Sequence, residues 1–208
     1  MFIPRHPVVE NQFCSYASQT TTGAAGIGGV IAYAGSVVYL DPNASNEEPI
    51  VKKMAYSASP FTPFGFSMQK VKTGYHQVHP AGYMMPGDLG SSDAIAQPLY
   101  NAAGTITGTK AVPVGVAHLG IWDTVHYTSL DEITKIAPGD ALYAAADEAK
   151  VTTSTVDAGA IGADETYTAG ERCSQVVVAR VMKGASAAKV TANVANTTLY
   201  PIRIKLLI

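Results

Sequence analysis

The segment LYPIRIKLLI, residues 199–208, has the clearest secondary-structure pattern in this chain. Apolar side chains recur in it at every second position, with Arg203 and Lys205 between them. A period of two is typical of a β-strand that buries one face. Pro201 has no N–H to donate to a neighbouring strand, so it is expected at the strand start or on a sheet edge. The segment therefore predicts a half-buried strand whose core-facing residues are Ile202, Ile204, Leu206 and Ile208.

Similar strand patterns recur along much of the chain. Glycine, proline and acidic residues interrupt them at intervals, as they do at turns between strands. Helical signals are few: residues 130–133, with Ser129 as a cap, suggest a single turn. We therefore predict an all-β protein, either a β-barrel or a β-sandwich. The predicted strands are 30–40, 112–119, 124–129, 141–145, 150–155 and 175–181, and the predicted turns are 41–43, 120–123, 137–140, 147–148 and 182–184.

The composition narrows the classes of function. The 208 residues include 14 basic and 16 acidic ones, so charged residues make up 14% of the chain, against about 25% in an average soluble domain. A net charge of −2 without a basic run argues against nucleic acid as a partner. The low charge content fits a protein that holds much of its surface against other protein, and it also fits a monomer with a large core.

Membrane insertion and secretion are both disfavoured by local composition. Residues 23–40 are apolar but contain five glycines in 18 positions, and each glycine costs a helix about 1 kcal/mol. A glycine-rich loop that leads into a strand is expected there, and we predict that the protein does not bind a membrane. Residues 1–10 lack the pattern of a secretion signal, which predicts assembly in a cytoplasm. Cys14 and Cys173 stand far apart and are expected to be free, partly buried thiols.

Composition also divides the chain into four parts. Residues 1–22 are expected to form an extended N-terminal arm and its lead-in, and residues 23–56 a β segment. Residues 57–115 are rich in glycine, proline and aromatic residues, which predicts a long irregular insertion or subdomain. Residues 116–208 are expected to form a β-barrel-like domain.

Candidate partner contacts fall in the arm and in the insertion. Prolines keep the backbone of the arm extended, which lowers the entropy lost on binding, and its apolar side chains could be buried against a partner. The alternative is a frayed terminus. In the insertion, aromatic and Met side chains are types enriched at interface cores, although they could equally cover the protein's own β core. The residues expected to contact a partner are Phe2, Ile3, Pro4, Arg5, Phe61, Phe64, Phe66, Tyr75, Tyr83, Met84 and Met85.

Known catalytic and cofactor motifs are not completed in the sequence. The glycines of residues 23–29 do not form GxGxxG, because the last required position holds Ile31. His76 and His79 have no third ligand at a suitable spacing. The acidic residues between 147 and 171 lack the spacing of an EF-hand, which leaves calcium binding open there. We predict that the protein is not an enzyme and that it has no catalytic residues, cofactor or metal ligands.

Four segments in the second half of the chain carry a family resemblance. Gly139-Asp140-Ala141-Leu142-Tyr143 follows a turn, and Lys150-Val151-Thr152-Thr153 follows a short acidic turn. A valine-rich segment, 176–181, and the closing segment 202–208 come later. This succession resembles the small β-barrel capsid decoration (cement) proteins of tailed bacteriophages. In that family the second strand pairs back on the first, and the valine-rich strand returns to the barrel.

The resemblance implies a structural virion protein that binds the outer surface of a phage capsid and cements neighbouring capsid subunits. The implied partners are the major capsid protein and further copies of the chain itself, with a trimer as one option. The implied location is the virion. Two alternatives stay open: another structural component of the particle, such as the tail tube, neck or baseplate, and a carbohydrate-binding β-sandwich adhesin or fibre domain that uses Trp122 and Tyr127.

Overall fold

A computed structural model describes residues 2–5, 11–18, 30–42, 49–55, 61–73, 94–104, 106–128, 136–145, 149–154, 172–184 and 200–208. Within these ranges the chain forms fourteen strands and no helix, so the all-β prediction is confirmed. The strands are β1 Phe2–Pro4, β2 Asn11–Ser18, β3 Val30–Ala32, β4 Val37–Leu40, β5 Ile50–Lys53, β6 Pro63–Ser67, β7 Val71–Thr73, β8 Ala94–Tyr100, β9 Ile106–Ala117, β10 Ile121–Thr124, β11 Ala141–Ala144, β12 Val151–Thr152, β13 Ala179–Lys183 and β14 Ile202–Leu206.

Six of these strands form one sheet, called sheet 1. Its order is β1-β10-β14-β13-β11-β12, and every neighbouring pair is antiparallel. The strand β14 lies inside the sheet and buries Ile202, Ile204 and Leu206, while Lys205 is exposed and Arg203 is half-buried. Burying each of these aliphatic side chains contributes about 2 kcal/mol. The alternation predicted for the C-terminal segment is confirmed.

The other eight strands form sheet 2. Its order is β2-β5-β4-β6-β9-β8-β7-β3, and β2 also pairs with β9. The long strand β9 therefore has β2 on one edge, and β8 and β6 one after the other on its opposite edge. The pairings from β2 through β5, β4, β6 and β9 lead back to β2, so these five strands close into a ring. Closure of this kind removes free sheet edges, as in a β-barrel.

The strand β4 is buried on both of its faces. Val37 and Tyr39 point into the larger core, which also holds Trp122 and Leu142 of sheet 1. Val38 points the other way, into a smaller core with Val51, Val71, Val114 and Val116. A strand enclosed on two sides needs apolar residues in succession and does not show simple alternation. Sheet 1 and sheet 2 share the larger core, since Phe66 of β6 belongs to it as well.

The predicted strand 30–40 is in fact two strands joined by a tight turn. The Ser36 N–H donates to the Tyr33 carbonyl at 3.0 Å, and the Tyr33 N–H donates to Ser36 Oγ at 3.1 Å. Gly35 has a φ of +97°, a conformation that side chains other than glycine rarely adopt. Its missing Cβ leaves room for Phe2, whose ring carbon would lie 3.3 Å from that Cβ. The prediction of one continuous strand was wrong because an apolar run hid this turn.

Other predicted boundaries also change. The predicted turn 120–123 contributes to β10, which buries Trp122. The strand predicted at 175–181 is found at Ala179–Lys183, and it contains a bulge where a turn was expected. Residues 57–115 were expected to be irregular, yet β6, β7 and β8 lie within them and β9 begins there. Pairing of β6 with β4 and of β7 with β3, two strands outside this range, orders the described parts.

The turn at 137–140 is confirmed. The Asp140 N–H donates to the Ala137 carbonyl at 3.2 Å, the Ala137 N–H donates to Asp140 Oδ2 at 2.7 Å, and Gly139 has a φ of +97°. The suggested helical turn at 130–133 and the turn at 147–148 lie outside the described residues, and so do residues 185–199.

Candidate docking surface

The N-terminal residues fold back onto the protein's own sheet. The Phe2 ring stacks on the Trp122 ring with centroids 4.3 Å apart, and it lies 5.7 Å from the Phe66 ring. Phe2 is only 8% exposed, whereas Ile3, on the opposite face of the same strand, is 36% exposed. Of the predicted contact residues, Phe2 and Phe66 are thus enclosed in the protein's own core. Ile3, Pro4 and Arg5 are exposed.

The remaining predicted contacts that the structure describes also touch the protein itself. The Phe61 ring stacks on Tyr39 at a centroid distance of 3.9 Å, and Phe64 meets His118 edge-on at 4.6 Å. Both phenylalanines are half-buried. These contacts favour the alternative in which the aromatic residues of this region cover the β core. The predicted contacts Tyr75, Tyr83, Met84 and Met85 lie outside the described residues.

The strand β1 forms an edge of sheet 1, and Pro4 faces the open side of that edge. The Arg5 N–H donates to the Ile121 carbonyl at 2.8 Å, so the N–H groups of Ile3 and Arg5 point toward β10. The nitrogen of Pro4 points the other way and carries no hydrogen. No strand lies beyond β1 among the residues that the structure describes. Placing proline here reduces the edge's capacity to pair with another strand.

Asp123 binds two arginines on the face of sheet 1 that points away from the larger core, here called the outer face. Arg5 Nε lies 2.6 Å from Asp123 Oδ2, and Arg203 Nε lies 2.8 Å from Oδ1 on the same carboxylate. Arg203 and Asp123 are direct cross-strand neighbours, and Arg5 follows β1, the strand on the other side of β10. Hydrogen bonds from Arg203 and then from Arg5 outweigh burial and lower the pKa of Asp123 below its ordinary value. The cluster fastens the N-terminal strand to the sheet.

A buried serine–histidine pair lies under the turn that precedes β4. Ser36 Oγ is 3.0 Å from His126 Nε2, and the His126 ring lies against Tyr33 at a centroid distance of 5.3 Å. Both residues of the pair are buried, and Ser36 Oγ also accepts the Tyr33 N–H. A nucleophile must reach its substrate, so this pair stabilises the turn and does not form a reactive site. No sequence motif marked it.

The described thiol and the described acidic groups do not suggest a reaction either. Cys173 is buried, and burial raises the pKa of its thiol to about 11, so it is hardly ionised at neutral pH. Across the described ranges, no group of three His, Cys, Asp or Glu residues could hold a metal ion. His76, His79 and the acidic residues between 147 and 171 lie outside those ranges, as does the side chain of Cys14.

The two aromatic residues assigned to sugar binding are internal. Trp122 and Tyr127 are each 1% exposed. The Trp122 indole N–H donates to the Leu119 carbonyl at 3.1 Å, and the Tyr127 hydroxyl donates to the Tyr200 carbonyl at 2.7 Å. Neither ring offers a free face on which a sugar could stack, so this assignment was wrong.

Within the described part of the chain, no helix has the length and apolar character needed to cross a membrane. Comparison of the chain with models of protein families, with characterised proteins and with solved structures finds no match.

Proposed function

We propose that this protein is a structural component of a tailed-phage virion that binds the outer surface of the capsid and cements neighbouring capsid subunits. The observation that supports the proposal best is a pairing pattern. The segments that carry the resemblance to decoration proteins contribute the four neighbouring strands β14, β13, β11 and β12 of one sheet.

The pairing within this group follows the order that the resemblance implies. Tyr143 of β11 lies opposite Thr152 of β12, so the second segment pairs back on the first. Leu142 lies opposite Ala179, so the valine-rich region returns to the same strand on its other edge. The Val178 N–H extends that contact by donating to the Leu142 carbonyl at 2.8 Å. The last segment, β14, then pairs with β13.

A cementing role needs contact area and no reactive group. Stable interfaces bury about 1,200–2,000 Å² in total. A protein that touches several subunits gains further affinity, because its first contact makes the next ones nearly intramolecular. The described part of the chain fits this role through its exposed sheet face and its enclosed serine, histidine and thiol groups. The proposed partners are the major capsid protein and further copies of the chain, in the virion.

The proposal is tested on particles of the phage that encodes the chain. Mass spectrometry of purified virions should detect the protein in a fixed ratio to the major capsid protein. Purified protein added to capsids that lack it should bind at saturable sites and raise the temperature at which the shells break. A preparation of unrelated icosahedral shells serves as the control for non-specific adsorption.

Two results would contradict the proposal. Virions that lack the chain would remove it from the particle altogether. A chain found in tails but not in heads, or one that polymerises into rings or tubes when isolated, would move it to the tail tube, neck or baseplate.

A further inference from the structure

The outer face of sheet 1 brings together cationic side chains that are far apart in the sequence. In one row across the strands, Lys205 of β14 lies directly opposite Arg180 of β13. In the next row, Arg203 lies between Asp123 of β10 and Lys183 of β13. With Arg5 beside Asp123, the face holds five cationic groups. Asp123 is the only carboxylate in the six strands, all of which the structure describes.

This arrangement places like charges opposite each other. Cross-strand neighbours interact strongly enough that like charges in direct opposition destabilise a sheet. Arg180, Lys183 and Lys205 are exposed, and within the described residues no carboxylate pairs with any of them. Arg180 donates only to a neutral group, the Gly139 carbonyl, at 2.9 Å. The face is therefore strongly positive in a chain whose net charge is −2.

Two apolar side chains share this cationic face. Met182 is the extra residue of the β13 bulge and is 46% exposed, and Ile3 at the edge of the sheet is 36% exposed. Exposed Met and Arg side chains are typical of protein interfaces. The phosphate backbone of a nucleic acid would pair with the cationic side chains but would provide no apolar surface for Met182 and Ile3 to pack against.

We infer that the outer face of sheet 1 is a docking surface for an acidic protein surface, whose carboxylates meet Arg180, Lys183 and Lys205 and whose apolar side chains cover Met182 and Ile3. The choice of a protein as the partner rests on the proposed function. Carboxylates of the partner would reduce the repulsion between the opposed cationic side chains. The electrostatic energy of this face is therefore less favourable in the free protein than in the complex.

The test compares three soluble polyanions as probes by fluorescence anisotropy or calorimetry. These are a glutamate–tyrosine copolymer, a polyglutamate of matched charge and a short DNA duplex of matched charge. The copolymer, which supplies both carboxylates and apolar surface, should bind tightest. The double variant Arg180→Glu/Lys205→Glu should weaken its binding on the order of tenfold. Tighter binding of the duplex would overturn the inference in favour of a nucleic-acid partner.

A matched control separates the face from net charge. The double variant Lys70→Glu/Lys72→Glu changes the net charge by the same amount, but Lys72 lies in β7 of sheet 2 and Lys70 directly precedes that strand. It should bind the copolymer like the wild-type protein. Equal losses in both double variants would overturn the inference, because they would show that only the total charge matters. Urea unfolding checks that each variant folds. The milder variant Lys205→Gln should be as stable as the wild-type protein or more so, and yet bind the copolymer more weakly.

Capsids of the encoding phage then separate this inference from the proposed function. If the wild-type protein binds capsids and Arg180→Glu/Lys205→Glu binds them equally well, the docking face is wrong while the cementing role stands. If the wild-type protein ignores capsids but binds the copolymer through this face, the cementing role fails while an acidic protein partner is supported. Loss of capsid binding in this variant alone, with Lys70→Glu/Lys72→Glu unaffected, supports both.

Discussion

Removing the Phe2 ring tests whether the N-terminal strand is part of the folded core. Phe2 is 8% exposed and stacks on Trp122 with centroids 4.3 Å apart. Phe→Ala substitutions in cores cost about 3–5 kcal/mol. Phe2 lies on a three-residue edge strand that can shift inward, so we expect a loss near the low end, about 3 kcal/mol. That is a large part of the 5–15 kcal/mol typical of a whole domain.

Urea unfolding followed by tryptophan fluorescence measures this loss, because Trp122 is the chain's single tryptophan and touches the altered side chain. The matched control is Ile3→Ala on the opposite, exposed face of the same strand, with an expected change within about 0.5 kcal/mol. Equal losses for the two variants, or a loss below about 1 kcal/mol for Phe2→Ala, would refute the reasoning and make residues 2–4 a free arm.

Three further predictions follow from local geometry. Gly35→Ala should lower the free energy of unfolding, measured in urea, by at least about 1 kcal/mol more than Gly139→Ala. Both glycines have a φ of +97°, but only at Gly35 would a Cβ lie 3.1–3.3 Å from neighbouring side chains. Equal losses would contradict this. Asp123 has a lowered pKa, so its stabilisation is fully present above the ordinary carboxyl pKa and is lost as pH falls through the lower value. Asp123→Asn should therefore flatten the acid side of the stability–pH curve, and an unchanged slope would count against the cluster. In a Cys14→Ser background, the Cys173 thiol, with a pKa of about 11, should react with a disulfide reagent near pH 8 only as fast as the protein opens; immediate reaction would show that it is accessible.

The parts of the fold that sequence predicts well are those with a local cause. Strand β14 shows alternation within a single segment, and the turn around Gly139 combines proline, glycine and aspartate in adjacent positions. The physical reason for each structure lies within a few residues, so a short window contains it.

Other parts depend on contacts that no short window contains. Trp122 looked like a turn residue because Gly120 and Asp123 flank it, yet its ring completes a core that also holds Phe2 and Phe66. The bulge at Met182 is a matter of register between β13 and β14, which are separated by residues outside the description. Tertiary pairing overrode the local signals at both places.

The cationic face could not be predicted from sequence for a related reason. Its side chains come from positions 5, 180, 183, 203 and 205, and a sheet order that starts β1-β10-β14-β13 places them side by side. A search for a basic run finds nothing, because consecutive residues of a strand point to opposite faces. The near-neutral total charge conceals it further.

Pro4 has a consequence for how this molecule can associate. If two copies met along their β1 edges, backbone hydrogen bonds between the edges would join their sheets into one continuous sheet. Fibrils grow by this kind of edge pairing. The imino nitrogen at that position interrupts such a ladder at its first register, and the strand is too short to find another. At high concentration, pairing of β1 edges into a continuous sheet is therefore disfavoured. Copies can still associate through broad surfaces, where the contact geometry limits the number of subunits.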